Sequence, residues 1–193
     1  MTKQRKITLI LTGIFLAALL VLIIGLIVQG RHDYAWNIAV KACVWTVYTF
    51  LEIKYNLALS HYIRVFVMAV VFSDSLIGLF FNLYVTSAIF DKIQHIAGSY
   101  AFSLFTYALL CRWLQPAMSR TFSCILVFLL GVSIGACYEI GEFIGDLVAR
   151  PQVPSQPSLL DTNLDLMADL AGALLAAVHV AFSSTFGRWG DNV

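Results

Sequence analysis

From Ile7 to Gln29 the chain carries no charged side chain, and leucine, isoleucine and valine dominate the run. At about 1.5 Å per residue, a helix of that length crosses a hydrocarbon core of about 30 Å. A secretory signal would instead show an apolar core of about 7–15 residues and a small-residue cleavage site. The run is therefore read as an uncleaved first helix behind Lys3, Arg5 and Lys6.

The remaining sequence repeats this pattern. Hydrophobic residues make up 60% of the 193 and charged residues 12%, with a mean hydropathy of +0.85, well above the roughly 45–50% apolar content of a soluble domain. Further apolar stretches cover about residues 35–53, 61–83, 90–113, 121–148 and 161–182, which with 7–29 predict six transmembrane helices. Gln115–Pro116 separates the fourth from the fifth. The proline-rich stretch from Arg150 to Pro157 separates the fifth from the sixth, because helices end at such prolines. The expected fold is all-α: a polytopic membrane bundle forming one integral membrane domain over residues 1–193. A net charge of +1 and the lack of a basic cluster exclude a nucleic-acid partner. Cys43, Cys111, Cys124 and Cys137 show no metal-like spacing and are expected to be buried small hydrophobes.

Basic residues near the helix ends set the orientation. With the N-terminus cytoplasmic, Lys3, Arg5, Lys6, Lys54, Arg64, Arg112, Arg120 and Arg188 fall inside, against Arg31, Lys92 and Arg150 outside. Six crossings place the C-terminus in the cytoplasm as well. Trp113 and Trp189 are then expected at the inner interface.

Against this background the acidic residues stand out. Glu139, Glu142 and Asp146 precede the proline break, and Asp161, Asp165 and Asp169 follow it. Charged side chains in a bilayer are costly and face a protein interior or a wet cavity. In the fifth helix Gly131, Gly135, Glu139, Glu142 and Asp146 share a stripe about 120° wide; in the sixth, Asp161, Asp165, Asp169, Gly172 and Ala176 share one about 80° wide. Antiparallel packing of these stripes predicts three pairs by depth: Asp146 with Asp161, Glu142 with Asp165, and Glu139 with Asp169. Asp91 and His95, at i and i+4 on the fourth helix, reach the same level. Seven of the chain's 11 acidic residues then share one neighbourhood at the outer face.

So many carboxylates require protons, basic groups or a metal to balance them. The basic candidates are Lys92, Arg150, Arg31 and Lys41, too few to match seven acids. His95, Asp91, Glu139, Glu142, Asp165 and Asp169 are therefore the candidate ligands of a divalent metal, with Mg²⁺, Mn²⁺, Ca²⁺, Fe²⁺ and Zn²⁺ all compatible. Other assignments stand beside this one. Asp161, three residues after Ser158, fits a helix cap, and Asp146 fits a solvated helix end. Asp74, Gly78 and Asn82, at i, i+4 and i+8, form a polar stripe suited to helix packing. Lys41 either snorkels or pairs, and His179 is expected to pack.

Three segments carry a family resemblance: Asp91-Lys92-Ile-Gln-His95, Tyr138-Glu139-Ile-Gly-Glu142, and Asp161-Thr162-Asn163-Leu-Asp165-Leu-Met167 with its Gly172-Ala173 tail. They resemble the signature segments of the YjdF-like family of bacterial inner-membrane proteins over about residues 60–180. The later half is also similar to VanZ-like proteins at Asp91, His95, Glu142, Asp165 and Asp169. Where the YjdF-like pattern carries Gly-Thr-Gln-Gly-Asp, this chain has Ser155-Gln-Pro157-Ser-Leu, and Asp169 stands where VanZ-like proteins carry Asn. The resemblance implies a location in the inner membrane and supports the constellation without implying a reaction.

Two classes of function follow. In one, the bound metal serves chemistry on a membrane lipid or lipid-linked envelope substrate, with Glu139 and Glu142 as the catalytic carboxylates. In the other, the site belongs to a cation or proton pathway or to a ligand-sensing module. An accessory scaffold with a polar core is the third alternative.

Overall fold

A computed structural model describes residues 2–57, 59–114, 118–151 and 153–183. Gln115, Pro116, Arg188 and Trp189 lie outside the described residues, as does the side chain of Trp113. Among the described residues there are seven α-helices, one π-helical stretch and no strand. The helices are α1 (Lys3–Val28), α2 (His32–Tyr55), α3 (His61–Ser73), α4 (Leu83–Thr86), α5 (Ala88–Leu114), α6 (Arg120–Ala149) and α7 (Leu159–Phe182), with the π-helical stretch at Asp74–Phe80.

Their boundaries follow local chemistry. Thr2, Ser119 and Ser158 cap α1, α6 and α7, each accepting a backbone N–H three residues on. Helix α6 ends at Arg150, whose left-handed φ of 49° turns the chain just before Pro151. Helices α1, α6 and α7, and α3 continued through the π-helical stretch, are long and apolar enough to cross a membrane. The other two long helices, α2 and α5, have 24 and 27 residues but carry more charged and polar side chains.

The chain forms two compact units, Met1–Thr86 and Ser87–Val193. In the first, α1 and α2 pack through Leu19, Leu22, Ile38 and an edge-on contact of Phe15 with Trp45. Its main ion pair is wholly internal: Arg64, with none of its surface exposed, grips both oxygens of Glu52 at 2.8 and 2.5 Å. Glu52 also accepts the Leu59 backbone N–H at 3.2 Å, which ties the α2–α3 connection to the pair. Arg64 thus serves the interior, a role that a count of basic residues near helix ends does not reveal.

The expected polar stripe of Asp74, Gly78 and Asn82 does not form. A π-helical turn starts at Asp74 and breaks the 3.6-residue period, and Asn82 leaves the helix with a φ of 64°. Asp74 pairs with Lys41 and accepts the Tyr84 hydroxyl at 2.7 Å, while the Tyr84 ring fills the space above Gly78. Lys41 therefore pairs rather than snorkels. Asn82 instead accepts from Arg31 at 3.0 Å.

The cysteines also depart from expectation. Cys43 and Cys137 are exposed, and Cys111 and Cys124 partly so. In a membrane chain an apolar setting is as compatible with lipid as with the interior, so apolar neighbours do not imply burial.

In the second unit α5, α6 and α7 pack closely. The approaches run through small residues: Gly131 lies against Ala173, Gly135 against Asp169, and Gly172 against the Ile96 carbonyl. Ser99 reinforces the junction by donating to the Asp169 carbonyl at 2.8 Å. Tyr100 and His179 stack and share a hydrogen bond of 2.5 Å, so His179 packs as expected.

Candidate metal centre

The second unit gathers its acids where α5 begins, α6 ends and α7 begins. Asp91, Lys92 and His95 occupy the first turns of α5, Glu139 and Glu142 the C-terminal half of α6, and Asp161, Asp165 and Asp169 one face of α7. Because α6 and α7 run in opposite directions, their acidic stripes meet, but in a register different from the expected one. Gly135, not Glu139, lies against Asp169. The shift is about one helical turn. It arises because the linker after Arg150 is extended, so the ends of α6 and α7 need not meet level, and because only a glycine leaves room for the Asp169 carboxylate.

The expected rim pair of Asp146 and Asp161 consequently does not form. Asp146 accepts the backbone N–H groups of Ser155 and Gln156 at 2.9 and 2.8 Å and so folds the linker back. Asp161 has its backbone N–H capped by Ser158 and its carboxylate 2.6 Å from Lys92 Nζ.

His95 is the hub. Its Nδ1 lies 3.3 Å from Asp169 Oδ2. Its Nε2 faces Asp165 Oδ1 at 3.5 Å, and Asp91 Oδ1 and Glu139 Oε1 at 3.7 Å each. The imidazole stands edge-on to the Tyr138 ring, with centroids 5.6 Å apart. Two sets of side chains bring their ligand atoms within 4.8 Å of one another: Asp91, His95 and Asp165, and His95, Glu139 and Glu142. All six candidate ligands are thus brought together, Asp169 through the far nitrogen of the imidazole.

Two residues complete the site beyond those singled out as ligands. Gln156, from the linker, donates its amide to Glu139 Oε2 at 2.8 Å and to the Glu139 carbonyl at 2.7 Å. The other glutamate oxygen, Oε1, is buried and has no hydrogen-bond partner among the described residues. Lys92 lies among three carboxylates. Its adjacency to Asp91 and its place three residues before His95 were the available signals; nothing in the sequence ties Gln156 to Glu139.

A groove of about 420 Å³ opens beside the cluster between α6 and α7, lined by Val132, Ala136, Asn163, Leu166, Met167 and Leu170, and by Asp169.

Comparison with known proteins adds a family. Residues 8–185 match the family described as Predicted membrane protein (DUF2238). An uncharacterized protein of Thermotoga maritima is 34% identical over 119 residues, which are 62% of this chain and 61% of that one. The match thus spans less than two thirds of that relative's length. No solved structure matches.

Proposed function

The chain belongs to this DUF2238 family of predicted membrane proteins, and we propose that its function is built on a divalent metal ion held by His95, Glu139, Glu142 and Asp165, with Asp91 beside them. The observation that carries this is the setting of His95 Nε2. His95 Nδ1 lies 3.3 Å from Asp169 Oδ2, so a neutral imidazole that gives its Nδ1 hydrogen to Asp169 would present a lone pair at Nε2, which faces three carboxylate oxygens at 3.5–3.7 Å. These separations are too long for hydrogen bonds. They approach the roughly 3.0–3.6 Å expected between two atoms that each bind one ion at about 2.1 Å. A carboxylate behind the far nitrogen of a metal-binding histidine is the usual way to fix its tautomer and raise its basicity. Asp169 takes that place. Glu139 Oε1, buried in a residue only 4% exposed and lacking a hydrogen bond, adds a second support.

An ion held there supplies a Lewis acid and a water activated near neutral pH. Glu139, tied by Gln156, anchors the site. Glu142, less buried than Glu139, would hold the ion through one oxygen and leave the other to take a proton as general base. The groove beside Asp169, apolar along most of its lining and open on the surface of two apolar helices, supports a lipid or lipid-linked substrate entering from the side. Conduction has less support, because the hydroxyls that continue along α5, Ser99 and Ser103, donate to backbone carbonyls and serve packing.

The placement in the membrane is part of the proposal. Helices α2 and α5 have the length to cross, which gives six crossings. The excess of basic residues at one set of ends supports cytoplasmic termini, with the site near the outer face of a bacterial inner membrane.

Elemental analysis of protein purified without chelator tests the metal. About one divalent ion per chain is expected, and it should be lost in His95→Ala and in Glu139→Gln. An ion-free wild type whose unfolding temperature does not respond to added Mn²⁺, Zn²⁺ or Mg²⁺ would sink the proposal.

A further inference from the structure

We infer that Lys92 is a built-in cation that fills the rim half of the carboxylate cluster, so that the centre takes one divalent ion and not two. The inference rests on the metal centre proposed above.

The Lys92 ammonium lies 2.9 Å from Asp91 Oδ2, 2.6 Å from Asp161 Oδ1 and 2.7 Å from Asp165 Oδ1. An ammonium has three hydrogens to donate, and here each has a carboxylate within reach. The acids come from two helices, Asp91 from α5 and the i, i+4 pair Asp161 and Asp165 from one face of α7. Their convergence on one point is the arrangement oxygen ligands adopt around a metal, with a tethered ammonium in its place. The side chain is only 20% exposed, so the three charges are not simply left to water.

The cluster therefore divides in two. Asp91, Asp161 and Asp165 are balanced by Lys92, and Asp165 Oδ1 is shared with the His95 side. Glu139 and Glu142 have no lysine or arginine paired with them among the described residues, and Glu139 Oε1 is, with the shared Asp165 Oδ1, one of the two buried carboxylate oxygens of the cluster without a hydrogen bond. The exchangeable ion belongs with His95, Glu139 and Glu142. Removing the lysine charge leaves Asp91 and Asp165 with ligand atoms that already lie within 4.8 Å of each other and of His95. Asp161 then stands uncompensated beside them. Such a set would hold a second ion through Asp91, Asp161 and Asp165, which would supply the charge that Lys92 supplies in the wild type.

Mn²⁺ is the probe. The full chain in detergent is stripped with chelator, reloaded with Mn²⁺, desalted and counted by elemental analysis. Expected values are one Mn²⁺ per chain for wild type and for Lys92→Arg, and two for Lys92→Met, with an electron paramagnetic resonance spectrum broadened by coupling between the ions. A wild type that retains one ion beside a Lys92→Met protein that also retains one overturns the role of Lys92 and leaves the metal centre standing. A wild type that retains none overturns the metal centre itself. A measurement on wild type alone covers the case in which Lys92→Met does not fold: reductive methylation followed by mass spectrometry. Equal protection of Lys92 with and without Mn²⁺ supports the inference. Lys92 becoming reactive when Mn²⁺ binds overturns it, since the incoming ion would then be displacing the lysine.

Discussion

Gly135 and Asp169 face each other so closely that a Cβ built on the glycine would lie 2.5 Å from the Asp169 carboxyl carbon. The glycine is therefore what admits a carboxylate between α6 and α7, and the carboxylate is what holds His95. Gly135→Ala should cost about 1–3 kcal/mol through overpacking and lower ion affinity about 10–100-fold by turning the imidazole. Unfolding in detergent and Mn²⁺ titration measure the two effects. Gly141→Ala and Gly145→Ala meet no atom within 4 Å, so each should be neutral or gain up to about 1 kcal/mol in helix propensity.

Asp169→Asn separates position from charge. The amide preserves shape and volume but no longer draws the Nδ1 hydrogen as strongly. Ion affinity should fall about 10–100-fold while the unfolding midpoint moves little. His95→Ala should abolish binding. Equal loss in both variants would place Asp169 among the direct ligands.

The linker is held by side chains at its two ends. Gln156→Ala removes both hydrogen bonds to Glu139 and should destabilise the protein by about 1–3 kcal/mol, because one of the bonds ends on a buried carboxylate. Asp146→Ala releases the Ser155 and Gln156 amides and should speed their hydrogen exchange and protease cutting between residues 150 and 158. Unchanged exchange at those two amides would refute the assignment of Asp146 as the linker's anchor.

In the first unit the test is charge removal. Glu52→Ala strands Arg64 in the interior and should cost about 3–5 kcal/mol, whereas Glu52→Leu combined with Arg64→Met should recover most of that loss. Denaturation of the Glu52→Ala variant, the double variant and the wild type decides it.

Filling the groove tests the lipid substrate. Ala136→Trp should reduce co-purifying lipid, counted by native mass spectrometry, without changing the Mn²⁺ stoichiometry, because Ala136 lines the groove and is not a candidate ligand. Lipid retention unaffected by the substitution would count against lateral entry.

Much of this is legible in the amino-acid sequence. The helical character, the proline break and the company of Asp91, His95, Glu139, Glu142, Asp165 and Asp169 all follow from periodicity and from the cost of charge in lipid. What could not be read was register. A stripe of Gly131, Gly135 and Glu139 says which face packs but not how far it slides, and the stop is set by the fit of Asp169 against Gly135. Lys92 was visible as a nearby base, yet its pairing with Asp161 and Asp165 depends on the register of α5 against α7. Glu52 with Arg64, and the π-helical turn at Asp74, were hidden for another reason: each belongs to a pairing across helices that leaves no local period.

His95 and Asp169 are 74 positions apart, and every candidate ligand lies in the unit that begins at Ser87. During synthesis α5 therefore leaves the ribosome carrying Asp91, Lys92 and His95 well before α7, which supplies Asp161 and Asp165 to Lys92, exists. A charged residue costs about 2.5–3.5 kcal/mol at the centre of an inserting helix and less toward its ends. If α5 crosses the membrane as proposed, Lys92 would lack Asp161 and Asp165 until α7 is made. Completion of this half of the molecule thus needs all three helices, because the acids on α7 supply partners of Lys92 as well as part of the candidate site.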